Sequence, residues 1–459
     1  MCTAHYLFLI MSAFLWYNHS MSKKKKARKR KQIRRKRIRI SRSFIMPFIL
    51  TLSIAVVLGL LALAAYQWVF EPARQVQSTM KPVRQPQTTG EMQGAEKEET
   101  KQAEQIEQIE QIEQTEEPGR YASQLNDPEY MAQNNISYRE AGEPGQATLL
   151  FAGDILFDDH YAIMKYLQSG GGIEEGISPE LIREMERADV MMLNNEFAYS
   201  DRGAPLEGKQ FTFRARPETV QYLTDMGVDI VSLANNHAYD YGEEALLDTL
   251  DILKEAGVTA IGAGHNLEEA RRPAYYIVDD IKIGFLTATQ IERLDNPDTR
   301  GATDVSPGVF RCWDGANLLE TIKDTKKNCD FLVVYLHWGT ENEAVLDWAQ
   351  LKQAPEVVQA GADLIIGDHP HCLQPIGVIQ GVPVIYSLGN FWFNSKTLDT
   401  GMVKVVIDQE GLVSYQFIPC LQNGCRTGLL DGEEKSRVLQ YMRSISERVQ
   451  IDEEGYGNL

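Results

Sequence analysis

Cysteine is scarce in this chain of 459 residues, with six in all. Cys2 stands apart, and Cys312, Cys329, Cys372, Cys420 and Cys425 are an odd, sparse set, which excludes a disulfide framework. Cys420 and Cys425 stand close enough to pair across PCLQNGC, and no pair has the CxxC spacing of a structural zinc site. The chain has no GxGxxG turn and no Gly-x-Ser-x-Gly elbow, which removes the commonest signatures of dinucleotide binding and serine hydrolysis. GAPLEGKQ (203–210) has the glycine and lysine spacing of a phosphate loop, but Gln210 stands where the magnesium-binding hydroxyl belongs and no strand precedes it.

Acidic residues are missing from the first 70 positions, and charge of any sign is missing from Phe44 to Phe70. Fourteen of the 46 Lys and Arg residues lie between Lys23 and Arg42, which leaves 32 against 64 Asp and Glu, a charge of −32. So acidic a body excludes a basic nucleic-acid-binding domain. The uncharged run FIMPFILTLSIAVVLGLLALAAYQWVF exceeds the ~20 apolar residues that span a bilayer. With the basic cluster before it, the run predicts a single-pass anchor (44–70), a cytoplasmic tail (1–43) and an extracellular remainder. A cleaved signal peptide would end in small residues, which Gln67 to Phe70 do not supply. Met21 followed by SKKKK reads as a natural start, and the first 20 residues as an upstream mis-start.

Residues 71–145 are rich in Gln, Glu, Thr and Pro and contain EQIEQIEQIEQ. A three-residue period matches no helical stripe, so a solvated, self-repelling stalk is expected. From Ala147 apolar runs alternate with helical patterns, and hairpins follow later, which implies an α/β domain with mixed sheets over 146–440 and a polar tail at 441–459. The runs end in polar residues of one kind. ATLLFAGD ends in Asp154, VMMLNNE in Asn195 and Glu196, and VDIVSLANNH in Asn235, Asn236 and His237. CDFLVVYLH ends in His337, and ADLIIGDHPH in Asp368, His369 and His371. Singly, each is an ordinary turn, cap or half-buried residue. Together at the carboxyl ends of strands they predict a ligand edge. The mixture of carboxylate, asparagine and imidazole suits one or two divalent ions of Mn, Fe or Zn. FRARPE places Arg214 and Arg216 where a guanidinium could clamp an anion. His160 and His265 read as surface residues.

GDILF, NNEFA, FRARPE, DIVSLANNHAYDYGEEALLDTLDILKEAGV, GAGHNLEEARRP, YLHWGTE, GADLIIGDHPHCLQP and YSLGNFWFN, in this order, resemble the CapA family of poly-γ-glutamate capsule biosynthesis proteins. The resemblance implies a metallophosphatase-like sandwich of two mixed β-sheets flanked by helices, with metals at the strand ends. It makes Asp154 and His371 ligands of a first metal, and Asn236, His337 and His369 ligands of a second. Glu196 takes the place of a bridging carboxylate and His237 that of the acid that protonates the leaving group. Leu156 stands where the phosphatases have a further histidine, which leaves one metal a ligand short. The expected role is in synthesis or export of an anionic capsule polymer beside membrane proteins of that machinery. The alternatives are a surface phosphoesterase or hydrolase and a metal-stabilised binding module. A body at −32 repels a polyanion at long range unless metals and local arginines offset it.

Overall fold

The computed structural model describes residues 119–291 and 299–458. The expected basic tail, membrane span and most of the stalk lie outside the described residues. Among the described residues no helix is long and apolar enough to cross a membrane.

The apolar runs build two mixed β-sheets flanked by helices. One sheet has eight strands, in the order Arg426–Leu429, Gly411–Asn423, Leu398–Asp408, Ala147–Ile155, Val190–Asn195, Ile230–Ser232 and Thr259–Ile261, with Asn390–Trp392 also paired to Ala147–Ile155. The other has seven, in the order Ile136–Arg139, Ala274–Val278, Ile281–Thr289, Phe331–His337, Leu364–Asp368, Val382–Ile385 and Ile376–Ile379.

Alternation along the strands explains the stacking. In Ala147–Ile155, Leu149 and Phe151 face the second sheet, while Leu150 and Ala152 face outward. In Phe331–His337, Phe331, Val333 and Tyr335 turn inward, and Leu332, Val334 and Leu336 outward. Successive side chains point to opposite faces, and both faces are covered, so these strands read as unbroken apolar runs. The helices Pro179–Glu186 and Gly242–Glu255 bury Leu181, Met185, Leu246 and Leu253 against the eight-stranded sheet. Ala316–Lys326 and Trp348–Ala360 bury Ile322 and Val357 against the other. Each such residue contributes roughly 1.5–3 kcal/mol by leaving water.

Two expected boundaries move. The folded body begins well before residue 146: the short helices Ala122–Leu125 and Pro128–Gln133 lead into Ile136–Arg139, which adds a parallel strand beside Ala274–Val278. Arg120 and Tyr121 both bond Asp330 at 2.8 Å, and Ile136 packs with Tyr275 and Ile277. The apolar residues here are too few and too spaced to stand out from the polar run before them. At the other end, Gly432–Ile445 crosses the boundary expected at 440, and Val449 and Ile451 are buried beyond it. Cys420 and Cys425 are both free thiols.

Candidate metal centre

The polar strand ends converge, though from both sheets rather than one edge of a single sheet. Asp154 lies opposite Asn194 and Asn390 in the eight-stranded sheet, and His337 lies opposite Asp368 in the seven-stranded one. A register shift between Phe151 and Asp154 re-aims the end of the first strand. That end also needs Gly153, because a Cβ there would stand 1.9 Å from the Gly389 carbonyl oxygen. His369 and His371 hold φ of +89° and +56°. Left-handed backbone in bulky residues costs of order 1–3 kcal/mol each and gathers at functional sites.

Asp154, Glu196, His337 and Asp368 are fully buried. Asp154, Glu196 and His371 present ligand atoms within 4.8 Å of one another; so do Glu196, His337 and His369, and so do Asp154, His337 and Asp368. Glu196 is thus shared by the first two groups. His371 Nδ1 lies 3.1 Å from Asp154 and 2.8 Å from Asn390 Oδ1, so its Nε2 is the nitrogen left toward Glu196, at 4.0 Å. His337 Nδ1 meets Asp368 at 3.0 Å, and its Nε2 lies 2.7 Å from Asn236 Oδ1 and 3.1 Å from His369 Nδ1. Asn194 donates to Asp154 at 2.8 Å, and Asn235 braces Asn194 at 3.0 Å.

Three carboxyls and three imidazoles in one dry volume are poorly matched to each other. Burial pushes Glu196 and Asp368 well above the usual carboxylate range, and the charges of their neighbours add to this. Burial also opposes ionisation of Asp154, but the hydrogen bond and charge of His371 outweigh it and hold that group low. His337 and His369 are pushed well down by burial and by nearby imidazoles. Burial opposes the charge on His371, yet Glu196 and Asp154 raise it to about 9. Glu196 Oε1 and Asp368 Oδ2 are buried without a hydrogen-bond partner. Unsatisfied buried oxygens of this kind are costly, and each belongs to a ligand group in which a bound cation would satisfy it. Neutral imidazoles with hard oxygens, and no thiolate, suit Mn, Fe or Zn. The residues present therefore fit such an ion.

Beside the cluster, His237 Nε2 lies 3.8 Å from Glu196, and its Nδ1 is held by Asp240 at 2.7 Å. The other oxygen of Asp240 takes Lys209 at 2.6 Å, and Lys209 also donates to the Asn236 carbonyl. The sequence discarded as a phosphate loop thus supplies a buried lysine that fixes the Asn236–His237 turn. Arg214 and Arg216 are not gathered in: Arg214 stacks on the Tyr241 ring at 4.3 Å, and Arg216 bonds Asp159 at 2.6 Å and pairs with Glu218. Leu156 is buried in the outer core, and Asn390 Oδ1 is an oxygen donor beside Asp154 that the strand pattern did not single out. Asp368 was visible as a strand end, whereas the roles of Lys209, Asp240 and Asn194 as supports of the cluster were not singled out. His160 and His265 lie at the surface against Asp158 and Glu269.

The cluster forms the floor of a cleft of about 600 Å³ in which His237, His369, His371 and Asn390 meet aromatic walls, including Phe211, Phe213 and Phe393. That size is ordinary for a ligand pocket.

The sequence matches the family model described as bacterial capsule synthesis protein PGA_cap over residues 148–395. It is 31% identical over 311 residues to the capsule biosynthesis protein CapA of Bacillus anthracis, a match covering 65% of this chain and 74% of that protein. It is 32% identical over 218 residues to the PGA biosynthesis protein CapA of Bacillus subtilis, covering 46% of this chain and 55% of that one. A probable polyglutamine synthesis accessory protein of Mycobacterium tuberculosis is 28% identical over 215 residues, 46% of this chain and 57% of its own length. The matched segment contains every residue of the buried cluster, and the chain belongs to the PGA_cap family of bacterial capsule synthesis proteins.

Proposed function

We propose that this protein takes part in the biosynthesis of a poly-γ-glutamate-type capsule as a metal-dependent hydrolase, anchored in the cell membrane with its folded body outside. The capsule assignment is supported by the family and by the relatives' names. The hydrolase assignment rests on one observation, the three interlocked ligand groups at the floor of the cleft. Asp154, Glu196, Asn236, His337, Asp368, His369 and His371 would hold the metal, which supplies Lewis-acid polarisation and an acidified water. The chain supplies the rest. Asp240 holds Nδ1 of His237, so Nε2 is the atom that carries a proton to a leaving group. Burial weakens the hold of His237 on that proton against the pull of Asp240. Aromatic walls limit water around the reacting bond. Membrane proteins of capsule synthesis and the anionic polymer are the proposed partners.

The test is turnover by Mn- or Zn-loaded protein on a panel of phosphoesters and γ-glutamyl oligomers. His237→Ala is expected to lose about 100-fold or more in rate while metal content is unchanged. Metal-loaded protein that turns over nothing, or an unaffected His237→Ala, would sink the hydrolase reading and leave a binding module.

A further inference from the structure

Between the short strands Ala198–Tyr199 and Arg214–Ala215 the chain makes a loop that turns at Glu207 and Gly208. Gly208 has φ of +79°, and the Lys209 N–H closes the turn on the Leu206 carbonyl at 3.3 Å. The loop lies against the turn that follows His237. Leu206 N–H donates to the Asp240 carbonyl at 2.9 Å, and a Cβ on Gly203 would stand 2.0 Å from the Tyr241 carbonyl oxygen. So close an approach admits only glycine. The turn at Gly208 sends the Lys209 side chain inward, where it is 5% exposed.

Three donors meet the buried carboxylate of Asp240. Lys209 Nζ lies 2.6 Å from Oδ1, while Oδ2 takes the Phe213 N–H at 2.6 Å and faces His237 Nδ1 at 2.7 Å. The Phe213 ring covers the imidazole, with centroids 4.2 Å apart and planes 31° apart. Lys209 also donates to the carbonyl of Asn236, the residue before His237. The same loop lines the cleft with Gln210, Phe211 and Phe213. The support of His237 and one wall of the cleft are thus a single piece of chain.

What the lysine adds to the other donors is charge. A buried carboxylate with only neutral donors is costly to keep ionised, and it turns away or takes up a proton. An ammonium against its second oxygen keeps Asp240 anionic and in place. An anion facing Nδ1 holds a proton on that nitrogen, and the partner of one ring nitrogen sets the role of the other.

We propose that Lys209 is a positioning residue for His237: acting through Asp240, it keeps a proton on Nδ1 and so leaves Nε2 to protonate the leaving group as its bond breaks. This rests on the reading of His237 as the acid of a hydrolytic centre, and it goes beyond holding the turn, because it makes the lysine's charge necessary to the acid.

The test uses the full chain in detergent, loaded with zinc, which does not broaden magnetic-resonance spectra. In protein labelled with 15N-histidine, the His237 signals are those missing from His237→Ala. Wild type is expected to show Nδ1 protonated, and Lys209→Met to shift the proton toward Nε2. The second readout is hydrolysis of ethyl phosphate against p-nitrophenyl phosphate, since an acid matters most to the poorer leaving group. Lys209→Met is expected to lower kcat about tenfold more on the ethyl ester than on the p-nitrophenyl ester, with KM and zinc content unchanged. Added to His237→Ala, it should cause no further loss, because the two residues act as a unit. Lys209→Gln, which gives Asp240 a neutral donor, is expected to show the same pattern and serves if Lys209→Met does not fold. Unchanged histidine signals, equal losses on both esters, or a loss that adds to that of His237→Ala would overturn the proposal. Zinc-loaded wild type that hydrolyses nothing would instead sink the hydrolase reading, and the histidine spectra would still decide the role of Lys209.

Discussion

His371 shows how the residues of the cluster depend on a cation. In the metal-free protein it titrates near 9, raised by Glu196 and Asp154 over the opposing effect of burial, against about 6.5 for an ordinary histidine. Its contribution to stability is therefore full below about 6.5 and is lost as the pH rises through about 9. Glu196 and Asp368, both raised by burial, add a cost that grows as the pH climbs past the usual carboxylate range. All three trends weaken the metal-free fold toward alkaline pH. A divalent ion needs His371 neutral and the carboxyls ionised, so it reverses them. The rise in melting temperature on adding Mn or Zn should widen between about pH 6.5 and about pH 9 in scanning calorimetry. A constant or shrinking increment would contradict this assignment of ligands.

The elements matter here chiefly through how they end. Gly153 lets the strand Ala147–Ile155 pass the backbone at Gly389, whose own φ is +69°, and Asp154 N–H donates to the Gly389 carbonyl at 3.1 Å. Gly153→Ala must push these two segments apart, and with them Asp154 and Asn390. We expect a loss of about 1–3 kcal/mol in stability together with weakened metal binding, measured by denaturant unfolding and metal titration. An unchanged metal affinity would show that the close approach does not position Asp154. Much of this scale was legible in the sequence, because a strand buried on both faces is an apolar run and the polar residue that stops it is conspicuous. That is how Asp154, Glu196, His337 and His369 stood out. The support beneath them was not legible. Lys209 acts through Asn236 and Asp240, 27 and 31 residues away in sequence, and such pairings leave no local pattern. Arg214 and Arg216 stood out by type alone, and the Tyr241 ring holds the first while Asp159 and Glu218 hold the second.

At the scale of the whole molecule, the sandwich brings together strand ends more than 200 residues apart, as His371 and Asp154 show. The alternation of runs and helices told of an α/β domain with mixed sheets, and the family resemblance implied a pair of them, but neither told that the site would draw on both. It also hid the lead-in from Gly119, whose few apolar residues are dispersed in a polar stretch, and the buried Val449 and Ile451 near the end of the chain. The proposed role asks a strongly acidic body to handle an acidic polymer, which needs positive charge at the point of contact, and the buried cluster would provide that only as a metal centre. The most direct measurement is the metal content of the purified full chain by mass spectrometry, beside the double variant His369→Ala/His371→Ala. We predict near-stoichiometric divalent metal in the wild type and its loss in the variant. Wild-type protein that stays without metal after reloading with Mn or Zn, or a variant that keeps the same metal, would contradict the account.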